Sequence, residues 1–287
     1  MDKLCDLHTH SRYSDGTDEP ARLIRIAEET GLAAVALCDH NTVAGLPEFL
    51  GAAAGSGLWA VPGIEFSTDY ENTELHILAL FVKPQHYAAI TEKMERMLRD
   101  KEQSNRNLVA GLKSAGIPID YDAIRASHPK GNINRAVIAA EMVRLGYCES
   151  VQDAFKNWLS EKHGYYCPPK RPDALETIRF IKSIGAVSVQ AHPFLSLTEE
   201  RLRAFLPLAA EAGLDAMEVY YPKFSAEQTA LAQLLAEEHG LLLSGGSDFH
   251  GANKPDIQLG TGRDNLHIPL SVLEKLAAVI GEPVPGK

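Results

Sequence analysis

The sequence predicts an α/β protein with a seven-stranded (β/α) barrel and a helical insert, and three observations carry that expectation. Seven short apolar runs recur: KLCDLHTH, LAAVALCDH, LWAVPGIEFS, LHILALFV, AVSVQAHP, DAMEVYY and LLLSGGSDFH. Between most of them lie stretches such as PARLIRIAEETG, DALETIRFIKSIG and AEQTALAQLLAEEHG. Their apolar residues fall three and four apart, and Gly closes each one, as helices and their stops require. Finally, 287 residues suit one large α/β domain or a domain carrying a smaller insert. Strands alternating with helices imply a parallel sheet. Seven of them suit closure into a barrel, with an open doubly wound sheet as the alternative.

The elements follow in order. Lys3–Leu7 reads as a strand that runs into His8-Thr9-His10, and the SDG of residues 14–16 reads as a turn. The second apolar run ends on Asp39-His40 and the third on Glu65. From Pro84 the alternation stops. ITEKMERMLRDKEQSNRNLVAGLKSAG, INRAVIAAEMVRLGY and VQDAFKNWLSEKHG are charged and helix-periodic, without a convincing strand. We assign 84–167 as a helical insert that covers the site, between barrel segments 1–83 and 168–287; insertions on barrel loops commonly do so. Beyond it the fifth run ends on His192 and the last on Asp248 and His250.

Composition narrows the function classes. A formal net charge of −10 argues against a broad nucleic-acid surface. It leaves room for a small anionic substrate, since bound divalent cations reverse the sign locally. No apolar run approaches the roughly 18 residues of a membrane span, and no charged-then-apolar leader pattern is present. Cys5, Cys38, Cys148 and Cys167 show no CxxC spacing, which fits reduced thiols and a cytoplasmic setting. Nothing in the composition calls for a membrane or an obligate protein partner.

Six of the eleven histidines, namely His8, His10, His40, His76, His192 and His250, fall in the strand-like motifs. His8 and His10 share a face because side chains alternate along a strand. Each of the six lies beside or near a carboxylate, and at a barrel's C-terminal mouth these groups converge. His76 is the exception, at the start of its run rather than the end. Burying so many imidazoles and carboxylates together costs several kcal/mol per unpaired charge unless cations offset it. The donor set suits zinc, manganese or iron, and it is too large for one ion. His86, His163, His239 and His267 read as surface or packing residues, with His128 in the cover over the site.

DLHTHSRYSDGT, LCDHNT, PGIEFS, LHILAL, VQAHP and SDFHG, in this order, resemble the motifs of the PHP (polymerase and histidinol phosphatase) family of metal-dependent phosphoesterases. The resemblance implies a distorted seven-stranded barrel. The insert after LHILALFV is most similar to the branch that removes the 3′-phosphate of nucleoside 3′,5′-bisphosphates, some members of which also trim short RNA from the 5′ end. Two or three divalent ions are implied, manganese first, with zinc, iron or magnesium as alternatives. One ion would take His8, His10, Glu65 and Asp248, a second Glu65, His76 and His192, and a third Asp15, His40 and His250. Glu65, Asp248 and His192 would then carry catalysis, through a hydroxide held by the metals rather than a protein nucleophile. The sequence has Asn41 where the branch commonly has Asp, which lowers the local charge by one if that position supports a metal.

Phosphate chemistry also needs cationic donors. Arg12 follows the histidine pair, Arg135 opens a helix within the insert, and Lys170 and Arg171 rejoin the barrel. Tyr165 and Tyr166 could stack on a base. A small phosphorylated nucleotide is thus the expected partner, with short RNA as an extension. The rivals are a histidinol-phosphate-type phosphatase, an amidohydrolase and a non-catalytic metal-dependent module. No lysine ends a barrel strand, which weighs against the amidohydrolase.

Overall fold

A computed structural model describes residues 3–129 and 133–285; part of the predicted insert, 130–132, lies outside the described residues. Seven strands form one sheet in chain order: β1 (Cys5–Thr9), β2 (Ala34–Leu37), β3 (Trp59–Tyr70), β4 (Thr73–Leu80), β5 (Val187–Gln190), β6 (Ala216–Tyr220) and β7 (Leu242–Gly245). The sheet curls until its outer strands meet. Asp248 N donates to His8 O at 2.8 Å and His10 N to Phe249 O at 2.9 Å, bridging the end of β7 to β1.

The sheet is not wholly parallel. β4 runs antiparallel to both neighbours, joined to β3 by a hairpin at Glu71-Asn72, where both residues adopt positive φ. Its first residues therefore lie where the parallel strands end. This corrects the expectation of a uniformly parallel barrel and explains His76: the start of a reversed strand is at the same mouth as the end of a forward one.

The inside of the curl is filled by Cys5, Leu7, Ala36, Val61, Leu78 and Val189, closed below by α11 (Leu270–Val279) through Leu273 and Leu276. Outside, α1 (Pro20–Glu29), α2 (Leu46–Ala53), α7 (Ala174–Ser183), α9 (Glu199–Ala212) and α10 (Ala226–Glu238) bury one stripe each against the strands. α8 (Pro193–Ser196) is a single turn after β5. Between β4 and β5 come α3 (Tyr87–Ser114), α4 (Tyr121–Ser127), α5 (Arg135–Arg144) and α6 (Val151–Ala154). They build a separate apolar cluster around Leu108, Leu112, Ile138 and Met142. The 28-residue α3 belongs to both: Ile90, Met94 and Met97 pack on the main core, while Leu108, Val109 and Leu112 pack in the second.

Candidate metal centre

Strand register brings the donors together. β1 pairs Cys5 with Ala34 and Asp6 with Val35, then slips so that Thr9 meets Leu37. A slip of one residue exchanges the faces of a strand. Cys5 and Leu7 thus fill the barrel below, while His8 and His10 reach its mouth. Gly246 is required opposite them, because any Cβ there would collide with the Cβ and backbone of His8.

Glu65, fully buried on β3, is the hub. Its Oε2 lies 3.2 Å from His8 Nε2, 3.2 Å from His10 Nε2 and 3.1 Å from His40 Nδ1. Its Oε1 lies 2.8 Å from His76 Nδ1 and 3.1 Å from His192 Nε2. Asp248 Oδ1 is 3.3 Å from His10 Nε2 and 3.4 Å from His250 Nδ1. Asp15 Oδ1 is 3.2 Å from His250 Nε2, and its Oδ2 is 3.8 Å from His40 Nε2. Three overlapping donor groups result: His8, His10 and Glu65; His40, Glu65 and His76; and His10, Asp15, His40 and His250. Within each group the donor atoms lie within 4.8 Å of one another.

The chemistry of the set fits cations. Among the described residues, Glu65 Oε2 and Asp15 Oδ1, each near several nitrogens, accept no hydrogen bond, and His10 Nδ1 and His192 Nδ1 likewise make none. His8 Nδ1 donates to Glu218 Oε1 at 2.9 Å, which leaves its Nε2 to face Glu65 Oε2 at 3.2 Å and His10 Nε2 at 3.0 Å. His250 Nδ1 donates to the Asp248 carbonyl at 2.8 Å, leaving its Nε2 aimed at Asp15. These tautomers follow from the bonds each ring makes. Lone pairs and carboxylate oxygens aimed at one another repel unless positive charge lies between them.

The electrostatics agree. Burial disfavours charge on His10 and His76, but carboxylates outweigh it and lift them to about 9 and about 10: Asp248 and Glu65 act on His10, Glu65 and Glu74 on His76. His40 is pushed down to about 3, burial outweighing Glu65 and Asp15. Despite burial, neighbouring imidazoles hold the Glu65 and Asp15 carboxyls well below the usual range, and Lys254 and His250 do the same for Asp248.

A scaffold of bonds fixes these groups. Glu218 Oε2 accepts the His192 backbone N–H at 2.7 Å, so one carboxylate on β6 steadies two rings. Asp248 Oδ2 accepts from Tyr221 Oη at 2.8 Å and Lys254 Nζ at 2.6 Å. Asp39 accepts from Ser11 and Ser14, pinning the loop that carries Asp15. His192, Asp248 and Asn41 hold φ of 26°, 56° and 56°, a left-handed strain concentrated at this mouth. The Asn41 backbone N–H donates to the Glu65 carbonyl at 2.8 Å. The Asn41 side-chain amide exchanges two 2.9 Å bonds with Ser67 and ties the end of β2 to β3.

A cavity of about 170 Å³ opens beside the cluster. His40, His76, Glu74, Lys101 of α3, Arg135 of α5 and Arg171 are among the residues that line it. Arg171 Nη2 donates to Glu74 Oε2 at 2.6 Å, and Arg135 Nη2 lies 4.0 Å from the same oxygen. The Arg135 guanidinium stacks 4.1 Å above the ring of Tyr166. Asn134 caps α5 and donates to Asp15 Oδ2 at 2.7 Å, joining the helices to the cluster.

The structure thus gathers all nine predicted donors, and it brings Arg135 and Arg171 to the cavity. Arg12 does not line it and instead pairs with Glu19 at 2.7 Å, while Lys170 is exposed outside it. Tyr165 packs against Trp158, and His128 bonds within its own helix end. Glu74, Lys101, Asn134, Glu218, Tyr221 and Lys254 escaped the sequence reading. A signal existed for two. Glu74 lies two residues from His76 on one strand face, and Glu218 is a lone carboxylate in an apolar run. Nothing distinguished Lys101 from the other charges of its helix.

Known proteins agree with this geometry. The PHP domain model matches residues 6–161. A 5′-3′ exoribonuclease of Haemophilus influenzae is 32% identical over 279 residues, 96% of this chain and 100% of that one. A 3′,5′-nucleoside bisphosphate phosphatase of Chromobacterium violaceum is 29% identical over 281 residues, 97% and 98% of the two chains. Among solved structures, a Bifidobacterium adolescentis protein assigned as a metal-dependent phosphoesterase superposes with TM-score 0.84 at 30% identity, covering 96% of each chain. A C. violaceum structure described as an amidohydrolase with bound sulfate gives 0.85 at 26%, covering 98% and 99%. The chain belongs to the PHP domain family and is a metal-dependent phosphoesterase.

Proposed function

We propose that this enzyme removes the 3′-phosphate of nucleoside 3′,5′-bisphosphates. One observation carries the reading: the donor cluster and a cationic cavity share a wall, so a substrate with two phosphates meets two anion sites. The Glu74 carboxylate, held by Arg171 and near Arg135, supports an anion-binding role for that cavity. The C. violaceum bisphosphate phosphatase supports the same substrate.

His8, His10, Glu65 and Asp248 would hold one ion, Glu65, His76 and His192 a second, and Asp15, His40 and His250 a third, with manganese the expected metal. Bound divalent cations supply Lewis-acid activation of water and charge neutralisation at the phosphoryl group. The protein's own residues do the rest. Glu65, with both oxygens engaged by different rings, bridges the donor groups, and Glu218 fixes the tautomer of His8. Arg135 and Arg171 grip the second phosphate with planar, charge-assisted donors, Tyr166 keeping the Arg135 plane in place. Segment 84–167 acts as an insert that selects the substrate, while 1–83 and 168–287 hold the metals. The four free thiols support a cytoplasmic setting.

A second reading, 5′-to-3′ trimming of short RNA, is favoured by the likeness to the H. influenzae exoribonuclease. A phosphate-release screen with manganese tests both. It compares nucleoside 3′,5′-bisphosphates, 5′-monophosphates, histidinol phosphate and short 5′-phosphorylated RNA. Turnover should be highest on the bisphosphates. A preference for histidinol phosphate would overturn the reading.

A further inference from the structure

The grip for one phosphate and the donor cluster account for a mononucleotide, yet a second set of cations stands across the cluster. Lys254 follows β7 and places Nζ 2.6 Å from Asp248 Oδ2, which makes it a cation in direct contact with the donors. Lys223, exposed on the turn after β6, lies two residues beyond Tyr221, whose hydroxyl bonds the same Asp248 Oδ2 at 2.8 Å. Among the described residues, Lys223 makes no ion pair, whereas Arg263 is neutralised by Asp256 at 3.0 Å. Neither lysine lines the cavity that holds Lys101, Arg135 and Arg171. That cavity borders His40 and His76, while Lys254 touches Asp248, so the two cationic groups flank the cluster. They differ in kind, since one is enclosed under helices and the other sits on a rim.

We infer that Lys254 and Lys223 receive the phosphodiester that follows the scissile bond in a 5′-phosphorylated oligonucleotide, making the β6–β7 edge the side by which the chain leaves. The inference rests on the proposed function, with the 5′-phosphate in the enclosed grip and the scissile phosphate at the cluster. A polyanion held at those two points must continue away from the grip. The groups flanking the cluster on that side then meet its next phosphate. On a chain of net charge −10, a rim lysine without a carboxylate partner is a fitting contact for it. A nucleoside bisphosphate ends at the scissile phosphate and gains nothing there.

The test compares Lys223→Gln and Lys254→Gln with wild-type, manganese-loaded enzyme on adenosine 3′,5′-bisphosphate and on a 5′-phosphorylated RNA trinucleotide. The ratio of kcat/KM for the trinucleotide to that for the bisphosphate should fall roughly tenfold in each variant. The salt slope of binding to a labelled 5′-phosphorylated hexanucleotide, followed by fluorescence anisotropy, should shrink by about one per lysine. Equal losses on both substrates, together with loss of manganese, would make Lys254 a support for Asp248 alone. An unchanged ratio and slope in Lys223→Gln would likewise overturn the inference. Bisphosphate turnover without any action on or binding of RNA leaves the proposed function standing and this inference refuted. Lysine-dependent RNA binding and cleavage without bisphosphate turnover gives the reverse result.

Discussion

The mouth of the sheet and the helices above it solve the placement of charge differently. At the mouth, the donors hang from the strands or from the loops that follow them, with Glu65 inside β3, His76 inside β4 and Asp15 on the loop after β1, and backbone bonds hold the strands in register. His8, His10 and Glu65 have no exposed surface at all. Above, Lys101 and Arg135 hang from helices with a core of their own, and the Arg135 side chain keeps a quarter of its surface in solvent. The difference separates two tasks. Cations demand fixed oxygen and nitrogen atoms, whereas a phosphate on a flexible substrate tolerates donors that adjust.

The largest effect that could break this division concerns Glu65. Glu65→Gln removes the charge shared by five rings, and kcat should fall on the order of 10³-fold or more while the fold persists. Near-normal turnover with full metal content would place the chemistry elsewhere. Arg135→Ala addresses the upper region. It should lower kcat/KM for 3′,5′-bisphosphates roughly tenfold to over a hundredfold, through one lost charged hydrogen bond of about 1.5–3 kcal/mol. A substrate with one phosphate should be largely spared, and equal losses on the two would make Arg135 structural.

Glu218→Gln sharpens the lower half. The His8 tautomer loses its anchor, and manganese affinity, measured by competition with a fluorescent chelator, should weaken roughly 10–100-fold. An unchanged affinity would mean β6 only packs. The smallest effect is on the chelated protein. His10 and His76 are lifted to about 9 and about 10, above their unfolded value, so their contribution to stability is complete below about pH 6.5. It is lost as pH rises through those values. Thermal midpoints in chelator should therefore decline by several degrees between about pH 7 and about pH 10. With manganese the decline should vanish, since ligands then bind metal rather than protons. A flat profile in chelator would show that the cluster's charges are balanced in some other way.

The same division governed what could be read from sequence. Period-two alternation and strand-end position pointed to His8, His10, Glu65 and Asp248 because a strand leaves a side chain two directions to face. The reversal of β4 was invisible, as LHILALFV is apolar in either direction, and only the geometry made sense of His76. Helix-borne residues such as Lys101 depend on how one helix packs on another. A helical face spreads charges around a circle, and sequence does not say which part meets the cavity. Arg12 illustrates the converse: it adjoins the histidine pair in sequence, yet the turn after β1 carries it to Glu19.

The reversed strand has one further consequence. Because β4 ends at the floor of the barrel, the chain must climb the full height of the wall before it can build anything over the mouth, and α3 makes that climb. At 1.5 Å per residue its 28 residues form a rod about 42 Å long. Its lower half is bolted to the barrel by Ile90 and Met94, and its upper half carries Lys101 and the wall of the second core. Such a rod is a lever. A tilt of about 5° about its lower end would move Lys101, about 21 Å along the rod, by about 2 Å, enough to open or close a grip on a phosphate. Substitutions at Ile90 or Met94, remote from every donor, would then tune which substrates fit without touching the chemistry below.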